Sequence, residues 1–256
     1  MVPPPTGVEA LPTPGSNVPI QPGPTDDRNP SLAVGAGGIL HVVRTENRSS
    51  PRGAYYSRSS DGLSWSPTLR VDGATGNVSF SKIVVERESV AVQGRTYIAY
   101  QTEAGPNADL WFVSSDDGVA WAAPRRIDSA PPSNASITPS IAATMGRLYA
   151  AWADNRDPSV YHVYFRASVD GGATWRPEVQ LSTSAVSNLQ PRIDAKGDTI
   201  VVAWRQLFST GPSVAAARSE DGGITWTFST VSSVGTSGNI FAPDVFVDDL
   251  LVAHLA

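Results

Sequence analysis

Ser168-Val-Asp-Gly-Gly-Ala-Thr-Trp175 and Ser219-Glu-Asp-Gly-Gly-Ile-Thr-Trp226 share the pattern S-x-D-G-G-x-T-W, with their tryptophans 51 residues apart. Two earlier stretches carry variants of it, Ser59-Ser-Asp-Gly-Leu-Ser-Trp65 and Ser114-Ser-Asp-Asp-Gly-Val-Ala-Trp121. The first is one residue short between Asp61 and Trp65, and the second has Ala120 in place of Thr. The chemistry of the pattern is that of a tight turn. Adjacent glycines permit positive φ, the Asp carboxylate accepts backbone N–H groups, and the Trp can bury a large area between neighbouring sheets.

Two further markers run in phase with this turn. Pro30-Ser-Leu-Ala-Val, Ser81-Lys-Ile-Val-Val, Pro139-Ser-Ile-Ala-Ala, Pro191-Arg-Ile-Asp-Ala and Pro243-Asp-Val-Phe-Val each open a short apolar strand, at spacings of 51, 58, 52 and 52. The next strand closes on Val43-Arg44, Ala99-Tyr100, Ala151-Trp152, Ala203-Trp204 and Ala253-His254. Each unit therefore reads as four strands. In the third they fall at 139–143, 147–153, 160–168 and near 178–182, with the glycine turn between the third and fourth. Tandem four-stranded units of about 50 residues describe an all-β fold, a β-propeller. The blades are expected near 30–72, 81–129, 139–183 and 191–232, with a partial fifth at 243–256. Residues 1–17 are rich in Pro, Gly and Thr without periodicity and read as a flexible N-terminal segment ahead of a propeller at 18–256. Val18-Pro-Ile-Gln21 precedes Pro30 by the interval that separates Val179 from Pro191, and reads as a lone fourth strand.

Composition fits this picture and excludes several classes. The 256 residues include 22 Gly and 21 Pro, which suits many turns, and 41% are hydrophobic, enough for a core. There is no cysteine, so no disulfide, thiolate zinc site or Cys nucleophile can exist. The net charge of −5 argues against nucleic acid, whose backbone needs a basic face. No apolar run is long enough to span a membrane. The start lacks the basic and apolar regions of a signal peptide. His41, His162 and His254 stand on different strands without metal-ligand spacing, so no metal or other cofactor is expected.

The S-x-D-G-x-x-W turns resemble those of the sialidase superfamily, whose Asp-box (BNR) repeats sit on propeller blades. The resemblance covers residues 18–256 and is specific for fold rather than activity. It implies six blades, so the sequence reads as part of a longer propeller. It also implies an extracellular or periplasmic setting and a ligand face built from the connections opposite the glycine turns. On that reading Asp61, Asp116, Asp170 and Asp221 stabilise turns, with Trp65, Trp121, Trp175 and Trp226 packing between blades.

The expected ligand face holds Arg44-Thr-Glu-Asn-Arg48, Gln101-Thr-Glu-Ala104, Ala153-Asp-Asn-Arg-Asp157 and Arg205-Gln-Leu-Phe208. Arg44, Asp154, Arg156 and Arg205 can hold an acidic sugar, since a planar guanidinium pairs bidentately with a carboxylate. They can equally form ion pairs between blades. Tyr100, Trp152 and Trp204 recur at one position, which favours packing over sugar stacking. Family sialidases open their first blade with Arg-x-Pro, whose Arg grips the substrate carboxylate. Arg28-Asn-Pro30 is similar, although Asp27 and Asn29 stand where the family has an aromatic and an apolar residue. Glu46 is the only acid in the loop 44–53, where the family places its acid/base Asp. No Tyr–Glu pair takes the family's nucleophile role, which a retaining mechanism needs. The reading is a sialidase-like propeller that recognises a glycan without catalysis of its own. Its alternatives are an exo-sialidase-type glycoside hydrolase with further residues elsewhere, and a structural or interaction module of a secreted protein.

Overall fold

The computed structural model describes residues 20, 27–46, 51–73, 76–86, 94–104, 107–131, 133–233 and 242–256. The expectations for residues 1–17 and for a strand at 18–21 lie outside these, apart from Ile20.

Four sheets of four antiparallel strands follow one another along the chain, and a two-stranded sheet ends it. Blade 1 comprises β1 (Asp27–Val34), β2 (Leu40–Glu46), β3 (Gly53–Ser59) and β4 (Leu69–Arg70). Blade 2 comprises β5 (Asn77–Val85), β6 (Thr96–Ala104), β7 (Asn107–Ser115) and β8 (Arg125–Arg126). Blade 3 comprises β9 (Ser136–Thr144), β10 (Arg147–Asp154), β11 (His162–Ser168) and β12 (Val179–Gln180). Blade 4 comprises β13 (Asn188–Lys196), β14 (Thr199–Phe208), β15 (Gly211–Ser219) and β16 (Thr227–Ser233). The fifth sheet pairs β17 (Val245–Val247) with β18 (Ala253–Leu255). The only helical element among the described residues is a 3-10 turn at Ala36–Gly38. The first strands pack in succession, β1 on β5, β5 on β9, β9 on β13 and β13 on β17, so they form the inner wall.

The core lies between blades because strand side chains alternate in direction. Along each second strand one row faces the preceding blade and the other the next. Tyr100 packs with Val43 and Tyr56 of blade 1, Trp152 with Tyr97 and Phe112 of blade 2, and Trp204 with Tyr149 and Phe165 of blade 3. Their small neighbours Ala99, Ala151 and Ala203 belong to the following interface. A large residue facing back and a small one facing forward let adjacent sheets close without a void. Arg44 stands at this aromatic position in blade 1.

The glycine turns fasten each blade to the one before. Trp121, Trp175 and Trp226 meet Tyr56, Phe112 and Phe165 edge-on at ring separations of 4.9, 5.6 and 4.9 Å. Gly172 and Gly223 have φ of +85° and +88°, and a Cβ on either would overlap the Phe112 or Phe165 ring. The double glycine is thus required twice, by backbone conformation and by close approach.

In the box turns the serine hydroxyl donates to the Asp and accepts a glycine amide. Ser168 Oγ donates to Asp170 Oδ1 at 2.7 Å and accepts the Gly172 N–H at 2.8 Å. Asp170 Oδ1 takes the Thr174 N–H at 2.8 Å, and Oδ2 takes the Thr174 hydroxyl at 2.6 Å. Asp221 repeats this with Thr225. These bonds hold the Asp170 carboxyl down at about 2, the Thr174 hydroxyl acting most strongly. Asp61 is likewise held at about 2, chiefly by the Ser64 N–H.

The second turn corrects the expectation for Asp116. Asp117 accepts the Val119 and Ala120 N–H groups, each at 2.8 Å, and the Ser115 hydroxyl at 3.0 Å. Asp116 instead pairs with Arg95 at 2.6 Å on the surface. The register is Ser115-Asp-Asp117-Gly-Val-Ala-Trp121, so the first two turns share one shorter form and the last two a longer one.

A candidate anion-binding funnel on the propeller axis

Every complete blade breaks its first ladder at one place. Register shifts separate Arg28 from Ser31, Ser79 from Lys82, Ile137 from Ser140, and Leu189 from Arg192. Inside each break stands a non-glycine residue in the left-handed region: Asn29 (φ 49°), Phe80 (49°), Thr138 (53°) and Gln190 (54°). Asn tolerates this conformation, but a β-branched Thr there is a genuine outlier. Such residues cost on the order of 1–3 kcal/mol each and cluster where a site must be held in shape. A bulge bends its strand and re-aims a side chain.

These bulges ring one mouth of the axis. Asn29, Phe80, Thr138 and Gln190, with Lys82 and Arg192, line a cavity of about 290 Å³. Phe80 is exposed, which offers a ring face. Thr138 Oγ1 and Gln190 Oε1 are buried without a hydrogen-bond partner among the described residues. Burial pushes the Lys82 ammonium below its usual pKa, and the Arg192 charge pushes it further, against an opposing pull from Asp244. Burial also lowers Arg192, again opposed by Asp244. Two partly desolvated cations beside the Thr138 hydroxyl are groups with which an anion can pair. None of the lining residues is Asp, Glu or Tyr.

The residues singled out from sequence do not converge there. Arg28 is exposed on β1 and is not among the lining residues. Arg44 is buried and pairs with Asp27 at 3.1 Å while donating to Thr68 at 3.1 Å. Glu46 is buried at the end of β2. Asp154 is fully buried and grips Arg156 through both oxygens, at 3.0 and 2.9 Å, and accepts the Ser136 hydroxyl at 2.8 Å. Burial raises the Asp154 pKa, but these bonds outweigh it and the net shift is downward. Arg156 also pairs with Glu178 at 2.8 Å and stacks on Tyr164 at 4.0 Å. Arg205 shares the strand face of Val201 and Ala203, which pack on the fifth sheet. Arg44 and Arg156 thus find their partners within their own blades rather than at the axis.

The axial cations carry no repeat signal. Lys82 and Arg192 follow the strand-opening Ser81 and Pro191, at the position held by Ser31, Ser140 and Asp244 in the other units. A cation standing where two other copies have serine and a third has Asp244 was the available clue. Among the described residues no group of three or more His, Asp or Glu could hold a metal. No helix among them is long and apolar enough to cross a membrane.

The architecture is shared with known propellers. The α-L-arabinofuranosidase Arb93A of Fusarium graminearum superposes with a TM-score of 0.65 at 13% identity, covering 90% of this chain and 73% of that one. The α-L-arabinanase of Penicillium chrysogenum gives 0.65 at 15% identity, covering 86% and 70%. A subtype N10 neuraminidase-like protein of A/little yellow-shouldered bat/Guatemala gives 0.53 at 9% identity, covering 79% and 58%. At such identities the likeness is one of fold. A search of curated proteins found no match. The model for the BNR repeat-like domain matches residues 90–239. That is more than half of the sequence, and with four box turns on successive blades the chain belongs to the BNR repeat-like family, within the sialidase-like propellers.

Proposed function

We propose that the protein recognises a glycan in the axial funnel and holds an acidic group of that sugar between Lys82 and Arg192. The observation that carries this reading is the cavity itself. It is lined by two partly buried cations, has an aromatic face at Phe80, and offers buried polar atoms without a partner among the described residues at Thr138 and Gln190. A few placed polar groups in a concave site are what orients a small ligand. Similar folds carry sugars, arabinobiose in the Penicillium enzyme and blood group B trisaccharide in an N-acetylgalactosamine deacetylase from F. plautii. Recognition is favoured over hydrolysis by the lining. Glycoside cleavage needs a general acid with a nucleophile or base across the sugar, and the described lining supplies neither. The funnel replaces Arg44, Asp154, Arg156 and Arg205 as the proposed ligand contacts, with Arg28 at most peripheral. An extracellular or periplasmic setting accompanies this reading.

Two assays on the purified chain test it. A saccharide panel should give binding to carboxylated sugars and weaker binding to their neutral counterparts. A fluorogenic sialoside should not be turned over. Turnover that disappears in an Arg28→Ala variant would replace recognition by hydrolysis and restore Arg28 as a substrate contact.

A further inference from the structure

Blade 4 departs from the other blades in the middle of one sheet face. The strand registers place Tyr55 opposite Arg44, Trp111 opposite Tyr100 and Tyr164 opposite Trp152, so blades 1 to 3 each carry a third-strand aromatic at this point. The row continues to Arg70, Arg126 and Gln180 on the fourth strands. In blade 4 the same row reads Trp204, Ala215 and Thr230. Side chains directly opposite one another share a face of the sheet. In blades 2 to 4 that face turns to the preceding blade, where Trp111, Tyr164 and Ala215 each belong to the shared core. Ala215 is one ring short of its counterparts.

A cavity of about 260 Å³ lies where that ring is missing, between blade 4 and the residues that follow β12. Leu181, Trp204 and Ala215 give it buried apolar walls, and Phe228, 60% exposed, presents a ring. Ser182, Ser184, Thr230 and the Gln206 amide supply polar groups. Gln206 Nε2 is held by Asn188 Oδ1 at 3.1 Å and Ser184 Oγ at 3.2 Å, and the same Asn188 oxygen accepts the Trp204 indole N–H at 3.0 Å. The walls are therefore fixed before any ligand arrives. Charge is absent as well. Asp72, Asp128 and Ser182 occupy equivalent places, where each takes a third-strand N–H, from Ala54, Leu110 and Val163. Only Ser182 does so without a charge, and none of the residues lining the cavity is charged.

We infer that this interblade cavity binds one neutral sugar ring, at a site separate from the axial funnel. Its size is that of a single ring, because in blades 1 to 3 a single aromatic side chain stands at the position of Ala215. A pyranose offers an apolar C–H face to Phe228 and hydroxyls to the serines, Thr230 and Gln206, which matches a lining of mixed character. A bare aromatic ring fills the same volume but gives those hydroxyls and the amide nothing to bond. An acidic or basic group would lose water here and find no opposite charge. The axial funnel has the reverse character, with Lys82 and Arg192 in its lining.

Saturation-transfer NMR titrations on the full chain test this, with the methyl pyranosides of glucose, galactose, mannose, xylose and arabinose as probes. At least one should receive saturation on its ring C–H protons. The signal should vanish in Ala215→Tyr, which restores the ring found in blades 1 and 3. Phe228→Ala should weaken the affinity by roughly two- to tenfold, the loss of one ring contact. Lys82→Ala/Arg192→Ala should leave it unchanged, which separates this site from the axial one. A circular-dichroism melt confirms that each variant is folded, and Ala215→Leu replaces Ala215→Tyr if that variant is not. Silence from every pyranoside, a signal that survives the blocking variant or is unaffected by Phe228→Ala, or a signal lost with the axial cations would each overturn the proposal. So would p-cresol, run in parallel, binding at Ala215 while the pyranosides stay silent, since the slot would then take an aromatic ring.

Discussion

At the scale of single residues, neighbours of the same type have different tasks. Asp116 and Asp117 are adjacent, yet only Asp117 closes a turn. Asp117→Ala should therefore lower the melting temperature measurably, because two N–H groups and a serine hydroxyl lose their acceptor. Asp116→Ala should leave it almost unchanged, since its bond to Arg95 is an exposed ion pair, with Asp116 66% exposed. Equal losses in the two melts would contradict this assignment. Two adjacent carboxylates gave the sequence reading no means of choosing between them; the serine hydrogen bond decides. Lys82 presents the opposite case. Its desolvated charge is costly to the empty protein, so Lys82→Met should raise stability by about 0.5–2 kcal/mol while weakening an acidic ligand. A denaturant titration that shows a loss of stability would indicate that Lys82 is satisfied within the fold.

At the scale of elements, the interblade seam contains a group that responds to pH. His41 on β2 is buried, with Nδ1 2.8 Å from the Tyr56 hydroxyl, and Tyr56 packs against Trp121 of the next blade. Burial, aided by the Arg58 charge, lowers the His41 pKa from 6.5 to about 4. The folded chain then binds the His41 proton less readily than the unfolded chain. This contribution to stability is complete above pH 6.5 and is lost progressively as pH falls toward 4, by about 3 kcal/mol in all. His41→Gln should flatten that part of the stability–pH curve; an unchanged slope between pH 6.5 and 4 would show that other groups set it. The elements themselves were well marked in the sequence. The glycine turns and the strand-opening prolines recur because each solves a backbone problem that few residue types can solve. The fourth strands were the exception. They were expected as ordinary strands, but Asp72, Asp128 and Ser182 cut three of them to two residues, and this depends on a side chain replacing a carbonyl.

At the scale of the whole molecule, the repeat explains the frame and departures from it mark the proposed site. Regular positions fill the seams: Tyr100, Trp152 and Trp204 are buried there, and Trp152→Ala should cost about 3–5 kcal/mol in a denaturant titration. The arginines near the ends of the second strands drew attention because they recur. Recurrence reflects a structural task, as the Asp154–Arg156–Glu178 network illustrates. Lys82 and Arg192 are not legible from the repeat because only two of the five units have a cation at that position. Their meeting follows from the packing of successive first strands side by side, which no local pattern encodes. The location of the proposed anion site is therefore the decisive point. Isothermal titration with a carboxylated saccharide from the binding panel, run on three proteins, tests that location directly. Relative to wild type, Lys82→Ala/Arg192→Ala should lose binding by at least about tenfold, the minimum expected when charge-assisted bonds to a buried anion are removed. Arg28→Ala/Arg205→Ala should bind as wild type does. Undiminished binding in the first variant together with loss in the second would contradict the account and move the site off the axis.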